Sequence, residues 1–202
     1  MLGLICPDNF PPGYQGVFLF TAKFAYCTVD GILSLCFNPE MHTDAYIGLG
    51  SNMGDRELNL LRAVAEIGRL PDCKVTGLSP FYETSPVGVV DQPAFYNAVL
   101  RLHTAYTPSE LLQRLLHIET TVFDRTRTIH WGPRRIDLDL LLHGGARIDE
   151  AGIVVPHPHL AQRKFVLQPL HDLAPDLVHP LLGLTVSEIL AALQSNEIVT
   201  KI

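Results

Sequence analysis

From residue 43 onward the apolar positions fall into two alternating periods. Residues 45–50 (AYIGLG) read as a short buried strand, and Ser51 to Asp55 turn the chain into a helix. There Leu58, Leu61 and Ala65, with Leu60, Val64 and Ile67, recur at helical spacing as far as Gly68. Residues 74–79 predict a second strand, followed by a loop broken by Pro86, Gly88 and Pro93. A third strand spans 94–103, with Tyr96, Ala98, Leu100 and Leu102 on one face and Phe95, Asn97, Val99, Arg101 and His103 on the other. Thr107-Pro108-Ser109-Glu110 is a helix start, with Thr as N-cap, Pro in the first position and Glu three residues after the cap. Its apolar stripe is Leu111, Leu115, Ile118 and Val122, widened by Leu112 and Leu116. Glu119 borders that buried side, placed either to face a site or to pair with an arginine downstream. Residues 136–142 alternate as a strand, with Ile136, Leu138, Leu140 and Leu142 on one face and Asp137, Asp139 and Leu141 on the other. Gly144-Gly145 then turns the chain, and 181–193 ends it with a short amphipathic helix. The order β-α-β-β-α-β plus a C-terminal appendage predicts an α+β, ferredoxin-like fold: an antiparallel sheet with both helices on one face.

Residues 1–42 have another texture. They are rich in Cys, Phe and Pro, poor in charge and without sustained period. They are expected to form an extension outside the main domain, disordered or not normally translated, with the working domain at 43–202. The chain of 202 residues is 47% hydrophobic and 18% charged, enough apolar content to bury a full core. Its net charge of −6 argues against a general nucleic-acid or anionic-membrane binder, which needs a cationic surface. Cys6, Cys27, Cys36 and Cys73 show no C-x-x-C spacing, so neither a disulfide framework nor a zinc site is supported and the cytoplasm is the expected compartment. No uninterrupted apolar stretch reaches the length of a membrane span, and the start lacks the basic segment of an export signal.

The candidate chemistry gathers at WGPRRIDLDLL, Trp131 to Leu141. Asp137 and Asp139 share a strand face about 7 Å apart, from roughly 3.4 Å of rise per residue. Like charges at that spacing repel unless protonated, paired with cations or shared by a metal. Arg125, Arg127, Arg134 and Arg135 lie close by in sequence. Carboxylates for Mg²⁺ beside guanidiniums for phosphate are what phosphoryl transfer requires, although an Asp-x-Asp strand can equally be a solvated face paired with surface cations. Phe95 and Asn97 offer a ring and an amide together to a flat heteroaromatic ligand. Gly48-x-Gly50-x-x-x-Gly54 resembles a dinucleotide-binding turn, but no parallel βαβ series follows. A tight strand-to-helix turn is the better account.

These stretches together resemble the 6-hydroxymethyl-7,8-dihydropterin pyrophosphokinases of the folate pathway. The residues that carry the likeness are AYIGLGSNMGDR, YETSPVG with DQPAFYNAV, WGPRRIDLDLLL, and the segment from His157 through Arg163 and Phe165 to Pro169, in the family's order from Ala45 to Leu193. The resemblance implies transfer of the terminal pyrophosphate of ATP to the pterin hydroxymethyl oxygen, with release of AMP. It implies Asp137 and Asp139 as ligands of two Mg²⁺ ions. Thr84, Phe95, Asn97 and Phe165 match the pterin pocket, the two rings sandwiching the heterocycle. Arg125 and Arg127 match a catalytic pair on a mobile loop over ATP, with Trp131 beside it. Arg134, His157 and Arg163 match phosphate-side residues, and Glu119 a residue near the nucleotide. The expected partners are ATP and the pterin only, with no nucleic acid and no membrane, and the expected state is a cytoplasmic monomer. Two other functions use some of the same residues: a Mg-dependent phosphohydrolase, which needs no Phe95/Asn97 pocket, and a non-catalytic pterin-binding domain, which needs no pair of aspartates.

Overall fold

The structure, a computed structural model, describes residues 42–86, 92–124 and 132–202, together with the backbone of three strands before them. The chain divides into two units, Met1–His42 and Thr43–Ile202. In the first, β1 (Leu19–Thr21), β2 (Phe24–Val29) and β3 (Ile32–Phe37) pair antiparallel in that order. The hydropathy pattern predicts no element there, because these runs are mostly apolar and offer no alternation to read.

The second unit is built on β4 (Thr43–Ser51), α1 (Arg56–Gly68), β5 (Cys73–Leu78), β6 (Tyr82–Thr84), β7 (Phe95–Thr104), α2 (Pro108–Val122) and β8 (Asp137–His143). β9 (Ile148–Glu150) and β10 (Ile153–Val155) form a separate hairpin. α3 (Lys164–Leu173), α4 (Val186–Ala192) and β11 (Val199–Lys201) follow. β5, β7, β4 and β8 lie side by side, all antiparallel, which is the ferredoxin-like strand order expected. β6 pairs with the other end of β7, and β11 covers its outer edge.

Local chemistry sets the helix starts. The Asp55 carboxylate accepts from Leu58 N at 3.0 Å to cap α1. Thr107 and Glu110 close the reciprocal capping box anticipated at α2. The apolar faces of both helices (Leu60, Ala63 and Ile67; Leu111, Leu115 and Ile118) pack on Ala45, Ile47, Leu49, Ala98, Leu100, Leu102, Leu138 and Leu140.

The two helices share one face as expected, and the C-terminal appendage covers part of the other. There α3 and α4 bury Val166, Leu167, Leu170, Val186 and Ile189 against Tyr46, Val99, Leu141 and Leu142. Leu142 belongs to this second face and not, as strict alternation predicts, with Leu138 and Leu140. The pairing of β4 with β8 shifts register between Tyr46 and Ile47, so Leu141 is the extra residue of a bulge and Leu142 turns over. The C-terminal segment is therefore a third layer, and its helices stop short of the strand ends that carry Asp137 and Asp139.

Candidate functional site

Where the second face is left uncovered, four strands form the floor of a cleft of about 870 Å³, open mouth included. Its logic is visible in the strand register. Gly50 of β4 pairs with Asn97 of β7 on one side and Asp137 of β8 on the other. Two residues earlier, Gly48 lies between Val99 and Asp139. The amide and the carboxylates thus stand on the same face, separated by a strand whose facing positions have no side chain. Two strand spacings put Asn97 and Asp137 about 10 Å apart. A Cβ at Gly50 would stand 3.0 Å from Asn97 Oδ1, so a side chain there would press on the Asn97 amide. Gly48 and Gly50 therefore do not serve a strand-to-helix turn, as their spacing suggested. They lie within β4, and only Gly54, at φ +65°, is in the turn.

One end of the cleft is aromatic. Thr84 and Phe95 pair across β6 and β7, and Asn97 Nδ2 donates to Thr84 Oγ1 at 2.7 Å. Phe165, in the first turn of α3, lines the same cleft. Each ring has a guanidinium beside it: Arg134 Cζ lies 5.6 Å from the Phe95 ring centre, and Arg163 Cζ 5.6 Å from that of Phe165.

The other end is charged. Asp137 and Asp139 both line the cleft, as do Arg134 and Arg163. Arg134 Nη2 lies 2.6 Å from Asp137 Oδ2. Arg134 Nε is buried and has no hydrogen-bond partner among the described residues, a donor that an anionic ligand would satisfy. A second cavity opens from Asp139 toward Leu112, Leu140, Val154, Val155 and His157, apolar apart from its aspartate and histidine. Burial, with Arg163 and His159 nearby, pushes the His157 ring down to about 4, so it is neutral at pH 7. Its Nδ1 accepts from His159 N at 3.2 Å, which leaves the proton, and the donor role, on Nε2.

Glu119 lies outside this lining. At 1% exposure its carboxylate is sealed beneath β8, where Oε1 accepts from Leu138 N at 2.7 Å. That bond goes to the strand, and among the described residues Glu119 is not part of the cleft lining. Arg125, Arg127 and Trp131 lie outside the described residues.

Asn52 is a residue that sequence reasoning passed over as part of a turn. It is 1% exposed. Its Oδ1 accepts from Arg134 N at 2.8 Å, and its own N–H donates to Arg134 O at 3.1 Å. Its Nδ2 donates to Gln92 Oε1 at 3.0 Å and Pro93 O at 3.3 Å. One amide thereby ties the segment before Phe95 to the segment before Asp137. No local pattern in the sequence singles it out, because Gln92 and Arg134 lie 40 and 82 residues away in the chain.

Magnesium fits the donor set. The oxygens of two alternate strand residues are hard ligands, and Mg²⁺ commonly takes one or two carboxylates with the rest from water and substrate phosphate. No cluster of three or more His, Cys, Asp or Glu suited to a metal occurs among the described residues. None of the described helices is long and apolar enough to cross a membrane.

Residues 46–175 match the family model of 7,8-dihydro-6-hydroxymethylpterin-pyrophosphokinase (HPPK). A 2-amino-4-hydroxy-6-hydroxymethyldihydropteridine pyrophosphokinase of Methylorubrum extorquens is 43% identical over 156 residues, 77% of this chain and 97% of the relative. The protein of that name from Bacillus subtilis is 44% identical over 133 residues, 66% of this chain and 79% of the relative. The folic acid synthesis protein fol1 of Pneumocystis carinii is 40% identical over 153 residues, 76% of this chain but only 20% of that longer protein. Among solved structures, wild-type HPPK-DHPS of Plasmodium falciparum with pteroate matches at a TM-score of 0.59 and 15% identity. That match covers 74% of this chain and 42% of the larger one, and it supports the fold alone. The chain belongs to the 7,8-dihydro-6-hydroxymethylpterin-pyrophosphokinase family.

Proposed function

We propose that this protein transfers the terminal pyrophosphate of ATP to the hydroxymethyl oxygen of 6-hydroxymethyl-7,8-dihydropterin, a step of folate biosynthesis. The observation that carries the reading is the row Asn97–Gly50–Asp137, which sets a pocket for a flat heterocycle beside a carboxylate pair in one continuous cleft. The pterin ring lies between Phe95 and Phe165, with its edge read by Asn97 and Thr84. Its hydroxymethyl group points along the glycine floor toward Asp137 and Asp139. The new bond joins that oxygen to the β-phosphorus, the bond from the β-phosphorus to the α-phosphate oxygen breaks, AMP leaves, and the hydroxyl proton passes to water.

Asp137 and Asp139 would hold two Mg²⁺ ions, which supply charge neutralisation for the triphosphate and acidify the attacking hydroxyl. The rest is done by the chain. Arg134 and Arg163 meet phosphate charge between the aromatic and carboxylate ends, and the unpaired Nε of Arg134 gains a partner on binding. Neutral His157 donates through Nε2 beside the second cavity, whose apolar walls suit the nucleotide base. Glu119 serves the nucleotide side indirectly, by holding Leu138 and so the spacing of the two carboxylates. Arg125, Arg127 and Trp131 act from the 123–133 loop, which closes over ATP and keeps water from the anhydride. The activity resides in residues 43–202 of a cytoplasmic monomer.

AMP release from ATP and Mg²⁺, followed with and without the pterin, tests the reaction. AMP that depends on the pterin is the expected result; ADP, or AMP at the same rate without the pterin, would overturn it. Asn52→Ala is expected to raise KM for both substrates by about tenfold, because one change frees both walls of the cleft. Steady-state titration of each substrate checks this, and an effect on one KM alone would refute the bridging role.

A further inference from the structure

The helix that presents Phe165 begins badly on its own. Its N-cap residue, Arg163, offers no side-chain acceptor, and no acidic residue lies in its first turn. The first amides of a helix need acceptors, and the positive end of its dipole favours an anion, yet Arg163 and Lys164 are both cations. The missing acceptor comes from a residue far along the chain. Glu197 Oε2 accepts from Phe165 N at 3.1 Å.

Glu197 is itself held in place. Its N–H donates to Ser195 Oγ at 3.2 Å. The next carbonyl, of Ile198, accepts from Ser85 N at 3.4 Å, and Ser85 lines the cleft. Val199 then pairs with Thr84, and Lys201 with Tyr82. At the far end of α3, Lys201 Nζ donates to Asp172 Oδ2 at 3.2 Å, and Tyr82 OH donates to the same oxygen at 2.6 Å. Residues 195–202 thus fasten α3, which carries Phe165, to β6, which carries Thr84. The family match ends at residue 175, well before this segment.

We propose that Glu197 is a positioning residue of the pterin slot: capping α3 from the C-terminal strand, it sets the gap between the Phe165 ring and the wall of Thr84, Phe95 and Asn97. The inference rests on the pterin reading of the cleft. A loosened cap lets the first turn of α3 shift or fray, and a ring sandwich tolerates little change in width. On the nucleotide side only Arg163, the N-cap residue of α3, adjoins this contact; β8 and the second cavity do not, so ATP binding should feel its loss less than pterin binding does.

The test uses the full chain, native and with Glu197→Ala or Glu197→Asp. Dissociation constants for 6-hydroxymethyl-7,8-dihydropterin and for ATP are measured beside Tm and hydrogen exchange at the Phe165 amide. Glu197→Ala is expected to weaken pterin binding by about tenfold, to leave ATP binding within about twofold, and to speed exchange at Phe165. Glu197→Asp keeps a charge near the helix end, and therefore Tm, but draws the oxygens back by one methylene. It is expected to weaken pterin binding as well, and it carries the comparison if the alanine variant does not fold. Native pterin affinity in either folded variant, or equal losses for pterin and ATP, would overturn the positioning role. A native chain that binds no pterin would instead overturn the functional reading beneath it, so the two failures are distinct.

Discussion

Asp139→Asn is expected to lower pterin-dependent AMP release by about three powers of ten, the loss of some 4 kcal/mol of transition-state stabilisation. Asp139 lines both cavities, so in the proposed reaction its charge would serve the triphosphate from the pterin side and the nucleotide side alike. The substitution conserves shape and removes the charge. Pterin affinity, which on the proposed reading would depend on Phe95, Asn97 and Phe165, should stay near native. Asp137→Asn, which also releases Arg134 from a 2.6 Å ion pair, tests the neighbouring carboxylate. Rapid-quench measurement of the chemical step, beside pterin titration, decides the matter. A variant with near-native turnover would remove Asp139 from the metal site.

Glu119→Ala is expected to destabilise the fold by about 3 kcal/mol, since it strips a charged acceptor from a buried N–H and leaves a cavity under β8. For a domain of this size that is roughly a 10 °C fall in Tm. Glu119→Gln keeps an oxygen for Leu138 N and should cost only about 1 kcal/mol. Thermal unfolding of the three proteins checks the order. If the glutamine variant fell as far as the alanine one, the charge and not the hydrogen bond would be what β8 requires. Because Leu138 stands between the two aspartates, the alanine variant should also lose turnover beyond its loss of folded protein.

Both experiments turn on β8, and β8 shows how far local pattern reaches. Asp137 and Asp139 on one face, with Ile136, Leu138 and Leu140 on the other, follow from a period of two and were legible at once. Leu142 was not, because a bulge is a mismatch between two strands and β4 lies some ninety residues upstream. The helix caps were legible for the opposite reason: Thr107 and Glu110 meet within one turn, and nothing distant is needed to bring them together. The pterin-side residues came as isolated hints, a Phe and an Asn two apart, and only the likeness to a known family joined them to Thr84 and Phe165. The structure places all four on one cleft.

The sequence by itself determined the main strands and helices, the caps of the first two helices, the ferredoxin-like order, and the pair of carboxylates on one face of β8. These depend on spacing within one strand, one helix turn or one conserved-looking run, where neighbours in the chain are neighbours in space. Tertiary structure alone decided that Gly48 and Gly50 form a floor between amide and carboxylate, and that Asn52 joins two loops. It alone put Glu119 on Leu138 N and let Glu197 cap the helix of Phe165. Each of these is a hydrogen bond or a close approach between segments separated by tens of residues. Such contacts exist only once strand register and helix packing have been set, and no periodicity along the chain encodes them.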